Sequence, residues 1–387
     1  MKKTAVLLSL LVCLGLITAC GSQPAQTQSQ PAGETQISLE GGEARIEGGG
    51  ADYASGILCI SSGGSYRIQG ELEGRILVDT GAEKENVELI LDGADIRSSK
   101  GPAIYVENAR DTTISVPEGK ESIVVSGAVQ QDLQPAEYEA KGAAIQAEDD
   151  LVLTGPGCLR VEGYINNAVS TKNDLLISGA VLKIRAVNNG LRGSQSVQMN
   201  GGDVEIECLN DAVKTTAKDK EDEGSVIITA GSLRVLRAGD RGISAVRDIV
   251  ISGGELDMLC LSDGLHAGDD QGPGKLLLTG GSLKIRSGSD AMELLGGAEI
   301  RGGSLLALGD DKDIKSSLSG SQICYAGGIA LDEGESLLLA DSQGTELMRL
   351  DNCLKADSVY ISLPQFKTGE SYQLLSSSGD VIAVIEL

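Results

Sequence analysis

Val197-Gln198-Met199-Asn200-Gly201-Gly202-Asp203-Val204-Glu205-Ile206-Glu207-Cys208 holds two short runs of alternating apolar residues, hinged at a pair of glycines. The pattern returns along the chain. Counted from starts at Asp150, Asp174, Ser196, Ser225, Asp248, Lys275 and Gly297, successive spacings are 24, 22, 29, 23, 27 and 22 residues, a 22-residue unit with insertions. Apolar residues recur at offset one (Leu175, Val197, Val226, Ile249, Leu276), three (Ile177, Met199, Ile228, Ile251, Leu278), eight (Leu182, Val204, Leu233, Leu256, Leu283) and ten (Ile184, Ile206, Val235, Met258, Ile285). Short period-two strands broken by glycine cannot bury their inner face alone and must stack on their neighbours. The pattern predicts an all-β protein: a parallel β-helix, a solenoid of ~22-residue rungs, over residues 37–311. A β-rich C-terminal cap over 312–387 would cover its open end.

The N-terminus reads as an export signal. Lys2-Lys3, an apolar run from Ala5 to Leu16 and the sequence Ile17-Thr18-Ala19-Cys20 predict a lipoprotein signal peptide over residues 1–19, with Cys20 taking the lipid. The run falls short of the ~20 residues that span a bilayer. From Cys20 to residue 36 the chain is Gln/Ser/Pro-rich and reads as a flexible tether. A monomer anchored by lipid to the outer face of the cell membrane is expected.

Removing residues 1–19 takes away Lys2 and Lys3 and moves the formal charge from -24 to -26. Such a field repels nucleic acid and favours cations. Cys208 and Cys260 fall at offset twelve with Ala186 and Ser287, a column of small inward residues. At two rungs apart, about 9.6 Å, they are too distant for a disulfide. The chain has no CxxC and a single histidine, which argues against zinc or iron–sulfur sites.

Outward positions divide by face. At offset nine Lys183, Glu205, Arg234, Asp257 and Lys284 alternate in sign, which reads as a solvated ladder of ion pairs. At offset fifteen stand Asn189, Asp211, Asp240, Asp263 and Asp290, each at a corner. Turn chemistry is one account of them, because Asn and Asp bond the nearby backbone. Stacked carboxylates would, however, repel by about 3.5 kcal/mol per neighbouring pair at an effective dielectric near 20, or about 0.9 in water. A hard cation or donated hydrogen bonds must relieve that. Two insertions, 217–224 and 267–274, leave the repeat at the same place two rungs apart, and the second carries Asp269-Asp270. Between loops and column runs a short strand whose outward residues are Ser170, Arg192, Lys214, Ser244, His266 and Glu293, a polar floor. Clustered carboxylate oxygens suit calcium, so Asp211, Asp240, Asp263, Asp269, Asp270 and Asp290 are the candidate ligands.

These residues carry a resemblance. Asp211-Ala212-Val213-Lys214 with its acidic loop, Val87 to Ile96 followed by Gly101-Pro102-Ala103-Ile104-Tyr105-Val106, and Leu363-Pro364 through Tyr372 resemble the repeats and ends of the bacterial surface proteins known as the carbohydrate-binding domain family. The likeness spans residues 37–387. It implies a right-handed parallel β-helix like that of pectate lyases, calcium binding, and an association with plant cell-wall polysaccharides, including acidic ones. The chain departs from that pattern at Ala212, Ala291 and Arg241.

Binding of polysaccharide without turnover is the expected function, with Arg192, Lys214, His266 and Tyr164 as sugar-contacting residues. With no Trp and one Phe, the chain lacks an aromatic platform for crystalline cellulose, although Tyr105 and Tyr138 could also stack on sugars. A calcium-dependent lyase would use Lys214 or Arg192 to remove the proton beside the uronate carboxyl. Ser-His-Asp chemistry would rest on His266 alone. A structural or adhesive surface protein is the third reading.

Overall fold

A computed structural model describes residues 33–40, 42–135, 142–217, 223–270, 272–310, 318–320 and 323–387. The export segment, Cys20, Tyr138 and the loop residues 218–222 lie outside the described residues. Among those described, no helix is long and apolar enough to cross a membrane.

The chain is all-β, but the expected open, right-handed parallel β-helix is corrected by the strand pairing. Asp111–Ser115, Asp150–Thr154, Asp174–Ser178 and the first half of Ser196–Cys208 pair in parallel succession. The second half of Ser196–Cys208 pairs with Val181–Ala186, and the succession runs back through Cys158–Gly163 and Glu121–Ser126 to Val87–Ser98. Val87–Ser98 in turn pairs with Asp111–Ser115, so eight parallel strands close a barrel. The cause lies in the two long strands. The repeat pattern implies a break at the glycine corner, whereas Val87–Ser98 and Ser196–Cys208 continue through it and belong to two columns at once. Ser225–Ala238 and Leu276–Ser287 join the same two columns again farther along, through Ile249–Ile251 and Glu255–Cys260.

Further sheets complete the molecule. A second, 12-stranded sheet holds the short strands from Ala51–Ala54 to Met292–Leu294. Register within it is strict: Val169, Leu191, Val213, Ile243, Leu265 and Met292 face one another in turn. These side chains meet Leu182, Val204, Leu256 and Leu283 of the larger sheet in one continuous core. Full burial of one such side chain contributes roughly 1.5–3 kcal/mol. The N-terminal end is covered by antiparallel hairpins, Thr35–Glu40 with Glu43–Glu47 and Ala51–Ala54 with Ile57–Ile60. At the C-terminal end Ala298–Gly309 pairs antiparallel with Ala356–Ser362, and a four-stranded antiparallel sheet follows. That end has its own core, with Leu339, Val359 and Leu374 fully buried.

Candidate functional site

The polar floor forms as one file. Ser170, Arg192, Lys214, Ser244, His266 and Glu293 are successive register partners on the outer side of the second sheet. Their alternation with buried Leu191, Val213 and Leu265 puts them on the sheet's other side, where Arg192, Lys214, His266 and Glu293 are partly exposed while Ser170 and Ser244 are buried. The file also continues toward the N-terminus through Gln146 to Tyr105. Counting along the sequence does not place those two on the floor, because long connections separate the early strands and hide their spacing.

Arg192 donates to Ser170 Oγ at 3.0 Å and to Thr216 Oγ1 at 2.9 Å. Neither partner is charged, and among the described residues no carboxylate pairs with this guanidinium. Burial lowers its pKa from the ordinary value. Lys214 differs. Its Nζ lies 2.6 Å from Oδ2 of Asp211, a carboxylate with no exposed surface. His266 Nδ1 is 2.6 Å from Glu293 Oε2. No hydrogen bond joins Ser244 to His266 among the described residues, so the file lacks the nucleophile–base contact of a triad.

The corner column is built differently from its sequence reading. Asn167 Oδ1 accepts the Asn189 backbone N–H at 3.1 Å, Asn189 Oδ1 accepts that of Asp211 at 3.3 Å, and Asp211 Oδ1 accepts that of Arg241 at 3.2 Å. Asp263 Oδ1 does the same for Asp290 at 3.3 Å. Each side chain thus caps the next strand's corner. Asp240 is not in this column. A bulge beside exposed Leu236 inserts one residue, so Glu207 pairs with Arg237 and Cys208 with Ala238. Asp240 then stands between Asn210 and Ser262, and Arg241 takes the column position. Its Nε lies 3.1 Å from Asp263 Oδ2 and its Nη2 3.4 Å from Glu293 Oε2. Burial pulls the Arg241 pKa down, while the Asp263 hydrogen bond and the charges of Asp240 and Asp263 more than restore it.

Donated hydrogen bonds and two basic side chains therefore relieve the repulsion along the column. Asp211 and Asp263 each have one oxygen on a backbone N–H and the other on a cation, which fits a calcium ion poorly. Asp269, Asp270 and Asp290 also make interactions within the protein. Asp263, His266 and Glu293 bring one ligand atom each to within 4.8 Å of one another, with Arg241 alongside. A second file lies beside the column: Asn188 donates to Asn166 at 2.7 Å and Asn210 to Asn188 at 2.8 Å. Its sequence signal was the 22-residue spacing of those asparagines.

Tyr164 is not brought to the floor. It is 4% exposed, its hydroxyl donates to Glu162 at 3.0 Å, and burial raises its pKa. Cys208 and Cys260 flank Ala238 in one buried column and are free thiols. The offset-nine ladder forms in part, with Arg234 3.3 Å from Glu205.

A file of polar and charged side chains running across many parallel strands defines a protein that can present an extended surface to a linear polymer. The chain belongs to the carbohydrate-binding domain-containing family, whose model matches residues 54–262. A carbohydrate-binding domain-containing protein of Acetivibrio thermocellus is 31% identical over 263 residues, covering 66% of this chain and 90% of the relative. A solved structure described as the polysaccharide lyase-like protein from C. thermocellum, gadolinium derivative, superposes with a TM-score of 0.55 at 24% identity. The match covers 75% of this chain and 97% of that one and speaks for the fold.

Proposed function

We propose that this protein is an exported lipoprotein, anchored through Cys20, that holds acidic polysaccharide along the file from Ser170 to Glu293 without cleaving it. Membership of the carbohydrate-binding family supports a polysaccharide partner. The observation that carries the acidic specificity is Arg192: a half-buried guanidinium held by two hydroxyls and, among the described residues, by no carboxylate. A sugar carboxylate is the natural counter-charge for such a group, because Arg forms paired hydrogen bonds with carboxylates. His266 and Glu293 are partly exposed farther along the file, while Lys214 is engaged by Asp211. That engagement weakens Lys214 as a lyase base and favours binding over turnover.

Calcium belongs to the proposal as a bridge between protein and uronate carboxylates. The adjacent loop carboxylates Asp269 and Asp270 would hold it on the protein's side; Asp211 and Asp263 serve Lys214 and Arg241, and Asp240 stands outside the column. The test is retention of the full-length protein on polygalacturonate, cellulose and neutral glucan, with calcium and with chelator, read together with the absorbance of unsaturated uronate products. Calcium-enhanced retention on polygalacturonate, weakened by Arg192→Ala and without new double bonds, is expected. Product formation abolished by Lys214→Ala would make the protein a lyase. Equal retention on neutral glucan would remove the acidic specificity.

A further inference from the structure

The cavity that opens near the N-terminal end has no part in the floor described above. It measures about 350 Å³ and lies where the strand ending at Glu73, the strand beginning at Arg75 and the segment Arg97–Lys100 meet. That size is near the lower end of ordinary ligand pockets. Two backbones approach closely in its wall. A Cβ on Gly74 would meet the Gly56 carbonyl oxygen at 1.8 Å, and Gly56 itself has φ +79°.

Its lining joins three chemistries. Arg75 donates through Nη2 to the Lys100 carbonyl at 3.1 Å and has no carboxylate partner among the described residues. Lys100 is exposed, and its ammonium likewise lacks an acidic partner among them. Arg97, the third basic group, is already neutralised by Asp95, with Nε 2.8 Å from Oδ1. Glu73 supplies an exposed carboxylate and Ile57, 39% exposed, an apolar wall. Two cations without an acidic partner among the described residues, in a chain of net charge -24, make a local positive site within an acidic field.

From this lining we infer that the cavity is a second saccharide subsite, one that takes a carboxylate-bearing sugar residue without calcium. Arg75 and Lys100 face the sugar carboxylate, Glu73 accepts from ring hydroxyls, and Ile57 covers a C–H face of the ring. Glu73 decides the ligand class. Inorganic phosphate has no C–H face for Ile57 and brings a compact charge against Glu73, whereas a uronate offers a carboxylate, neutral ring hydroxyls and an apolar face together. The inference rests on the proposed preference for acidic glycan but uses different residues and no metal.

The test is calorimetric titration of the full-length protein, in chelator, with digalacturonate, its methyl ester and inorganic phosphate. Digalacturonate should bind, and methyl esterification should weaken it about tenfold, the loss that follows from one ion pair worth ~1.4 kcal/mol. Arg75→Gln should cause a similar loss, with Lys100→Gln, at an exposed position that cannot unfold the chain, as the second variant. Arg75→Gln should cause the same loss in an Arg192→Ala background, because the two residues belong to separate sites and their effects add. Absence of binding in chelator, or binding untouched by both Arg75→Gln and Lys100→Gln, would overturn the subsite. Phosphate binding as tight as digalacturonate would overturn the sugar specificity. If only the floor reading fails, polygalacturonate retention is insensitive to Arg192→Ala while this titration still responds to Arg75→Gln.

Discussion

One corner of the fold is built with amides in its middle part and with charges farther along, and the two solutions behave differently. From Asn166 to Asn210 the side chains hydrogen-bond one another from strand to strand, and Asn188 and Asn189 each both donate and accept. Nothing outside the corner is required. From Asp211 to Asp290 carboxylates replace amides; they still cap the backbone but cannot donate to their neighbours. Cations must then come from elsewhere, Lys214 from the floor and Arg241 from the column itself. Charge therefore ties corner to floor only in the second part. That is where Glu293 and His266 are linked to Asp263 through Arg241.

Removing the cation should break the comparison most strongly. Arg241→Ala leaves the nearly buried Asp263 without its counter-charge, and the expected loss is about 3 kcal/mol, read as a lower urea midpoint. Added calcium that restores part of that loss would mean the charged column accepts a metal once the guanidinium is gone. A loss below about 1 kcal/mol would mean Arg241 is dispensable and the charged part needs no internal cation.

The amide part should respond less, and independently of salt. Asn189→Ala removes the acceptor for the Asp211 N–H and the donor to Asn167, at 3.3 and 2.8 Å. A cost of about 1–2 kcal/mol is expected in urea unfolding, equal at low and high salt. If salt changes that cost as much as it changes the cost of Arg241→Ala, the two parts do not differ in kind.

The smallest effect comes from a column with neither solution. Asp150 pairs in register with Asp111, and its carboxylate accepts the Asp174 N–H at 3.2 Å. Burial, then the charges of Asp174, Asp111 and Asp149, raise its pKa above the usual carboxylate value of 3.8, although the Asp174 N–H pulls it down. A raised folded-state value means the native chain holds this proton more tightly than the unfolded chain. Stability is therefore lost as pH rises through the window above the unfolded value. Asp150→Asn keeps the acceptor and should raise the melting temperature by about a degree at neutral pH. Melting curves across pH should show the gain vanish in acid; a gain that persists there would assign it to something other than ionisation.

The floor is legible in the amino-acid order alone. Ser170 through Glu293 stand in the register that counting offsets assigns them, because buried Leu, Val and Ile alternate with them and a slip of one residue would turn those side chains to solvent. Family membership is legible too, through the order of the motifs. Asp240 falls outside its expected column because a one-residue bulge is invisible to counting: Leu236 is apolar like Val235 before it, and only the shifted register and its exposure reveal the insertion. The sugar-stacking role expected of Tyr164 fails for a related reason. A tyrosine reads alike whether its ring faces solvent or, as here, lies buried with its hydroxyl on Glu162.

By itself, then, the sequence determined the periodic content of this protein: apolar columns, a polar file, a corner rich in Asn and Asp, and short strands hinged at glycine. Those follow from local alternation, which depends only on neighbours along the chain. Tertiary structure alone decided whether the corners broke the strands or let them run on, and so whether the columns stayed separate or closed into a barrel. It also decided which charges met. Arg241 reaches Asp263 from 22 residues away and Glu293 from 52, and no local pattern encodes an encounter at that distance.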